Sequence, residues 1–249
     1  MRPWYETAFG RDYLALYPHR DDEEAAADIA AILTLIDPPR NEPLLDLGCG
    51  AGRHLLALHN AGFRRLTGLD LSSDLLQVAR RRLDAVGGEG VDLVCCDMRK
   101  IAQSERFATV LSLFTSFGYF ASAEEDAEML AAVFEAVRPG GTFLLDTLHR
   151  QSTIDHLRPC EQRTIGTLHV EIVRSITPDG LRVEKETRVS EAGKEGRVYR
   201  ESVRMYSGDE LRDLFAAAGF REIALHGSLA GAPFDDAARR TIAVGRKQE

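Results

Sequence analysis

The chain has 249 residues, 44% hydrophobic and 28% charged, proportions that exclude disorder, collagen-like repeats and mucin-like stalks. Its 39 acidic residues against 31 basic give a formal charge of −8, the wrong sign for gripping a phosphate backbone, and no apolar run approaches the roughly 20 residues of a membrane span. The 4 cysteines include no Cys-x-x-Cys pair and the start lacks a signal-peptide core, which reads as reduced thiols in a cytoplasmic protein.

In chain order, the first 20 residues carry Tyr5, Tyr13, Tyr17 and Arg20 ahead of the first helix. Ile29, Ile32, Leu33 and Ile36 then fall at i, i+3, i+4, i+7, an amphipathic helix over 23–36 that Pro38-Pro39 ends. Strands follow at Leu44–Leu47, Leu66–Leu69, Val91–Cys95, Thr109–Phe114 and Thr142–Leu145. Helices start from Arg53 and cover Leu75–Val86 and 123–137, the last stopping at Arg138-Pro139-Gly140-Gly141. This alternation predicts a doubly wound α/β fold with a mainly parallel sheet. From about residue 163 the period becomes two: Leu168, Val170 and Ile172 alternate with polar residues, and turns at Pro178-Asp179-Gly180 and Gly193–Gly196 predict an antiparallel meander of about three strands. A helix over Leu211–Ala218 and strands at 221–226 and 241–245 resume the α/β pattern, so the meander is an insertion.

The chemistry centres on Leu44-Leu45-Asp46-Leu47-Gly48-Cys49-Gly50-Ala51-Gly52-Arg53. Glycines after a strand let the backbone bend sharply and let a ligand approach the next helix N-terminus. The third glycine comes one place too early for a dinucleotide fingerprint, and Arg53 fills the place that pattern keeps for Gly or Ala. A carboxylate at Asp46 would repel a pyrophosphate but attract an ammonium or sulfonium, which argues against a nicotinamide oxidoreductase. Asp70 ends the second strand, where an acid accepts hydrogen bonds from both ribose hydroxyls. Asp97 follows the third strand, placed to accept from an adenine amine with Met98 packed on the ring.

At these residues the sequence resembles the class I S-adenosylmethionine-dependent methyltransferases. Asp46–Gly52 is similar to their first motif, Gly68–Ser72 to the second and Asp97-Met98-Arg99 to the third, with Leu113–Tyr119 following the fourth strand. The resemblance implies a Rossmann-like seven-stranded sheet whose last strand is antiparallel. It also implies S-adenosyl-L-methionine as methyl donor, with S-adenosyl-L-homocysteine as product. The expected donor-binding residues are Tyr13, Tyr17, Arg20, Asp46, Gly48, Cys49, Gly50, Asp70, Leu71, Asp97, Met98 and Leu113. Residues 1–150 and 207–249 form the donor-binding domain on this reading, and 151–206 the β insertion. Insertion of antiparallel strands after the fifth strand is similar to small-molecule N-methyltransferases that act on nucleotide-linked aminosugars.

The reaction expected is direct displacement onto a small-molecule amine or hydroxyl; the alternatives are an RNA or protein methyltransferase and a non-catalytic donor-binding protein. Leu113-Phe114-Thr115-Ser116 lacks the Pro-Pro-Tyr signature of nucleobase and glutamine-amide enzymes. His149, just after the fifth strand, is the candidate general base, and no standard metal spacing occurs. Tyr13, Tyr17 and Arg20 are expected to close over the donor. The apolar face of the insertion must be covered, either by the main domain, roofing a substrate pocket, or by a second subunit in a homodimer. Arg163, Arg174 and Arg200 are its candidate anion contacts.

Overall fold

The structure, a computed structural model, describes residues 3–9, 11–16, 21–102, 104–113 and 115–249. After a 3-10 turn at Trp4–Glu6 come α1 (Arg11–Leu16) and α2 (Asp22–Ile36). The Asp21 side chain accepts from the Glu24 N–H at 2.9 Å, and three acids in the first turn of α2 suit the positive end of its dipole. The chain then alternates through β1 (Leu44–Leu47), α3 (Arg53–Asn60), β2 (Leu66–Asp70), α4 (Ser73–Asp84), β3 (Asp92–Cys95), β4 (Phe107–Ser112), α5 (Ala123–Ala136) and β5 (Val137–Leu148). A second region holds α6 (Arg150–Asp155), β6 (Cys160–Ile165), β7 (Leu168–Ile176), β8 (Arg182–Ser190) and β9 (Arg197–Arg204). Helix α7 (Gly208–Ala218), opened by a Ser207/Glu210 capping box, leads to β10 (Arg221–His226) and β11 (Arg240–Arg246).

The main sheet has the order β10-β11-β5-β4-β1-β2-β3. Strands β1 to β5 pair in parallel, and β11 runs antiparallel between β5 and β10. Both faces are covered, which is why its strands read as apolar runs. Leu45, Leu47 and Phe143 face α5 and α7, while Leu44, Leu66 and Leu144 face α2, α3 and α4. The order reverses between β1 and β4, so the loops at the carboxyl ends of β1, β2, β3 and β4 diverge there and leave a cleft.

The short elements differ from the sequence reading. Helices α1 and α6 have six residues each, too few to show a period. Arg138-Pro139-Gly140-Gly141 lies inside β5 instead of forming a turn before it: the register steps from Phe107↔Val137 to Thr109↔Thr142, with Gly140 at φ 73° absorbing the irregularity. The second sheet has four antiparallel strands, in the order β6-β7-β8-β9, because Cys160–Ile165 pairs with β7 around Gly166.

One face of this second sheet buries Val170, Ile172 and Val189 against Leu16 of α1. Its other face is an ion-pair lattice in which Glu186 meets Arg188 at 2.7 Å and Arg200 at 2.9 Å. Arg200, expected to contact a substrate anion, therefore stands on the outer face.

In the main core Phe215 is fully buried and stacks on Phe143 with centroids 5.3 Å apart. Phe215→Ala is expected to lower unfolding stability in urea by about 3–5 kcal/mol. A loss below about 1 kcal/mol would show that the ring does not anchor α7 to the sheet.

Candidate active site

The glycine loop folds back on the second strand. The Gly48 and Cys49 N–H groups donate to the Leu69 carbonyl at 2.7 and 3.0 Å. Gly48, at φ 78°, leaves no room for a side chain, since a Cβ there would lie 2.8 Å from that of Ser116. Gly52, at φ 77°, caps α3.

Asp70 ties these parts together. Its Oδ2 accepts from the Gly50 N–H and its Oδ1 from the Ser72 N–H, both at 2.8 Å. A carboxylate has about four acceptor positions, so roughly two remain for a diol. Burial pushes the Asp70 pKa up, opposed by the Ser72 and Gly50 N–H groups. Ser72 Oγ caps α4 through the Leu75 N–H at 3.3 Å and donates to the Phe9 carbonyl at 2.8 Å, docking the N-terminal segment on the same edge.

The cleft opens to solvent at the carboxyl ends of β1, β2 and β3. Of the sequence-predicted donor residues, Tyr13, Gly48, Cys49, Gly50, Asp70, Leu71, Asp97, Met98 and Leu113 line it. Tyr17 and Arg20 lie outside the described residues, so the lid expectation is carried here by Tyr13 alone. Asp97 lines the cleft while held by Arg99: burial pushes its carboxyl up, but the Arg99 guanidinium and N–H more than offset this and hold it below the ordinary value.

Asp46 sits one layer back. It is 1% exposed beneath the loop and, among the described residues, its Oδ2 has no hydrogen-bond partner. Burial pushes its pKa up to about 6; His54 and Arg53 pull it down, and Asp70 adds to the rise. It therefore acts on the cleft through its field more than by contact.

His149 does not meet the requirement for a general base at this edge. It is 7% exposed, its Nδ1 accepts from the Ser152 N–H at 3.1 Å as the cap of α6, and its ring packs 5.1 Å from Phe234. It lines neither this cleft nor the next, because the chain turns into α6 directly after β5.

The sequence reading missed the aromatic wall. Phe9 stacks on Tyr119 with centroids 5.6 Å apart and planes 13° apart, Trp4 lies 4.7 Å from Tyr119, and Tyr5 meets Phe120 edge-on at 5.5 Å. Arg99 lies over the Phe120 ring at 4.3 Å. The one signal was the clustering of aromatics in the first 13 residues and again at 117–120.

Phe9, Tyr13 and Tyr119 also line a second cleft, between the carboxyl end of β5, α6 and the second sheet. Arg158, Arg174, Lys185, Glu161 and Glu201 bring charge to it; Arg174 pairs with Glu161 at 3.0 Å and Lys185 with Glu201 at 2.7 Å. Arg163 instead donates to the Leu16 carbonyl at 2.8 Å, fastening α1 to β6.

Comparison with known proteins agrees with this geometry. A methyltransferase-domain family model matches residues 44–141, which span the glycine loop, Asp70, Asp97 and the aromatic loop. Residues 44–141 form a methyltransferase domain, and the chain's relatives support an S-adenosylmethionine-dependent methyltransferase. It is 29% identical over 232 residues to a dTDP-3-amino-3,4,6-trideoxy-alpha-D-glucopyranose N,N-dimethyltransferase of Streptomyces venezuelae, covering 89% of each chain. It is 36% identical over 138 residues to a dTDP-3-amino-3,6-dideoxy-alpha-D-glucopyranose N,N-dimethyltransferase of Streptomyces fradiae, covering 55% of this chain and 48% of that one. Among solved structures it is similar to S-adenosylmethionine-bound CalS10, an amino pentose methyltransferase of Micromonospora echinaspora (TM-score 0.68, 27% identity, 95% and 97% covered).

The methyltransferase's residues fit that donor. A buried carboxylate oxygen lacking a partner among the described residues is costly, on the order of 1–3 kcal/mol, a cost that a cationic group in the cleft would lessen. The pinned Asp70 carboxylate keeps acceptor capacity for a ribose. Among the described residues no helix is long and apolar enough to cross a membrane.

The two acids can be tested separately. Asp70→Ala is expected to weaken S-adenosylhomocysteine binding by roughly 1.5–3 kcal/mol in calorimetry, and unchanged affinity would remove Asp70 from the ribose site. Asp46 binds a proton more tightly folded than unfolded, so it destabilises the free protein above its folded pKa of about 6 and ceases to as pH falls toward 4. Asp46→Asn should therefore raise the melting temperature of the free protein at pH 7.5, on the order of 3 kcal/mol at most. The same change should weaken binding of the ammonium-bearing product, and wild-type affinity should decline below pH 6. An Asp46→Asn variant with unaltered stability and affinity would count against the buried charge.

Proposed function

We propose that this methyltransferase methylates the amine of a small anionic metabolite, with an aminosugar carried on a nucleotide as the acceptor class. The observation that carries the reading is the second cleft, which shares Phe9, Tyr13 and Tyr119 with the donor cleft and is roofed by the β insertion. Its three cationic side chains, Arg158, Arg174 and Lys185, outnumber its two acids, Glu161 and Glu201. One net positive charge suits a compact anion such as a sugar-linked phosphate. It does not suit an RNA duplex, which calls for a broad basic surface. The two dTDP-aminosugar N,N-dimethyltransferases support the same class. Residues 151–206 act here as a roof: Ile165, Leu168 and Tyr199 extend the apolar face of the sheet and Leu16 of α1 packs on it within the chain, which favours a roof over a dimer seam.

When bound, the donor supplies a sulfonium methyl that passes in line to a nucleophile as the thioether departs. The protein's share is alignment, exclusion of water and removal of a proton. The expected donor contacts are Asp70 at the ribose, Asp97 and Met98 at the adenine, and Tyr13 over the top. An ammonium acceptor must first lose a proton, and His156 is placed to take it. Its Nδ1 lies 2.9 Å from the Ser152 carbonyl, which can only accept, so Nδ1 carries the hydrogen and Nε2 is the basic nitrogen of the neutral ring. His156 lines the second cleft, beyond α6 from the residue the sequence suggested for this role.

The assay is methyl transfer from S-adenosylmethionine to dTDP-linked 3-aminosugars, read by mass spectrometry, with free aminosugars and tRNA alongside. One or two methyl groups should appear on the nitrogen of the nucleotide-linked sugar. Arg158→Ala should raise the acceptor KM at least tenfold and leave the donor KM unchanged. His156→Asn should lower kcat about 100-fold at pH 7 and much less at pH 9, where the amine is already neutral. Transfer to tRNA alone, or to no amine-bearing nucleotide sugar while the product still binds, overturns this acceptor class.

A further inference from the structure

Tyr119 and Phe120 are carried by a loop without helix or strand, yet they form much of the wall of the donor cleft, and Tyr119 that of the second cleft too. The carbonyls of this loop are held from the second sheet. The Gly118 carbonyl accepts from the Arg204 N–H of β9 at 2.7 Å, and the Phe120 carbonyl accepts from Arg182 Nη2 of β8 at 2.9 Å. The same Nη2 lies 3.4 Å from the Gly118 carbonyl. Arg182 is itself fixed, since Nε donates to Ser202 Oγ and Nη2 to the Ser202 carbonyl, both at 2.9 Å.

Gly118 makes the contact close. At φ 82° it has the conformation glycine tolerates best, and a Cβ there would run into the Arg204 carbonyl. Below the loop, Asp126 of α5 is fully buried and accepts from the Tyr206 hydroxyl at 2.6 Å, with Arg182 and Arg204 as its countercharges. Tyr206 also packs on Phe117, one residue before Gly118, with centroids 5.2 Å apart. The next residue along β8, Val183, and then Lys185, line the second cleft.

We propose that Arg182 is a positioning residue for methyl transfer: from the β insertion it fixes the loop that carries Tyr119 and Phe120, and with it the wall the two clefts share. One guanidinium reaches both loop carbonyls through Nη2 while its Nε holds Ser202, a rigid two-nitrogen grip that a lysine ammonium lacks. Displacing such a wall by an ångström is enough to disturb the alignment a displacement reaction needs. The insertion is thus part of the donor site's construction as well as a cover beside it.

The test requires no acceptor, so it is independent of the substrate class proposed above. Trp4 is the sole tryptophan and its ring lies 4.7 Å from that of Tyr119, so its fluorescence reports the wall. Emission, its response to S-adenosylhomocysteine, the dissociation constant and thermal stability are measured for wild type, Arg182→Met and Arg182→Lys. Arg182→Met should shift Trp4 emission and weaken product binding about tenfold with the far-UV spectrum unchanged. Arg182→Lys, which keeps the charge beside Asp126 but lacks the Nε donor that Ser202 holds and the reach of Nη2, should regain stability without regaining the Trp4 signal or the affinity. Should Arg182→Met fail to fold, Gly118→Ala, which presses the loop off β9 with the buried charges intact, carries the same expectation. Wild-type emission and affinity in a folded variant, or a lysine variant whose signal and affinity recover together with its stability, overturns the proposal.

Discussion

One carboxylate holds the donor site together. Asp70 accepts backbone N–H groups from Gly50, in the loop after β1, and from Ser72, at the start of α4, and so joins two chain segments about 20 residues apart in sequence. Without it the glycine loop and the start of α4 would each leave a donor to find water inside a cleft. Ser72 extends the linkage outward, capping α4 and holding the Phe9 carbonyl. The floor, the edge and part of the cover of the cleft are therefore connected by three short hydrogen bonds at one strand end. That strand end exists because the sheet order reverses beside β1.

The acids at this edge are unevenly satisfied, and the unevenness has a use. Asp97 is neutralised within the chain by Arg99, so it offers shape and hydrogen-bond acceptors at little electrostatic cost. Asp146, at the end of β5, is likewise paired in two-pronged fashion with Arg240. Asp46 has no such partner for Oδ2 among the described residues, and burial raises its pKa to about 6. A buried charge that His54 and Arg53 only partly offset destabilises the free fold and favours a cationic ligand, so stability and affinity trade against each other at this residue.

The aromatic wall meets the opposite requirement. Trp4, Tyr5, Phe9 and Tyr13 come from a short N-terminal stretch that has little structure of its own. Trp4 and Phe9 pack on Tyr119, Tyr5 meets Phe120 edge-on and Tyr13 packs on Phe9, while Tyr119 and Phe120 are in turn held by arginines and backbone of the second sheet. Donor cleft, second cleft and insertion consequently share one set of rings, and movement in any of them is felt at the others. A displacement reaction that depends on alignment and desolvation needs this kind of shared, close-packed boundary.

The main sheet, its helices and the placing of Gly48, Gly50, Asp70, Asp97 and Met98 on one edge were legible in the sequence alone. Each depends on local rules: apolar runs for strands buried on both faces, 3.6-residue periods for the helices, and acids directly after strand ends. What lacked a local signature could not be read. Helices α1 and α6 are shorter than two turns, β6 is recognisable only through its pairing with β7, and the Pro-Gly-Gly stretch joins β5 because its neighbour β4 accepts it. His149 and His156 look alike in sequence, two histidines soon after β5. Tertiary structure separates them: Nδ1 of the first caps α6, while the ring of the second lines a cleft that only the folded insertion creates. Asp46 shows the same division. Its position in the motif announced an anion near the loop, but only packing made it buried, unpartnered and proton-binding, because desolvation belongs to the surroundings of a side chain and not to its place in the chain.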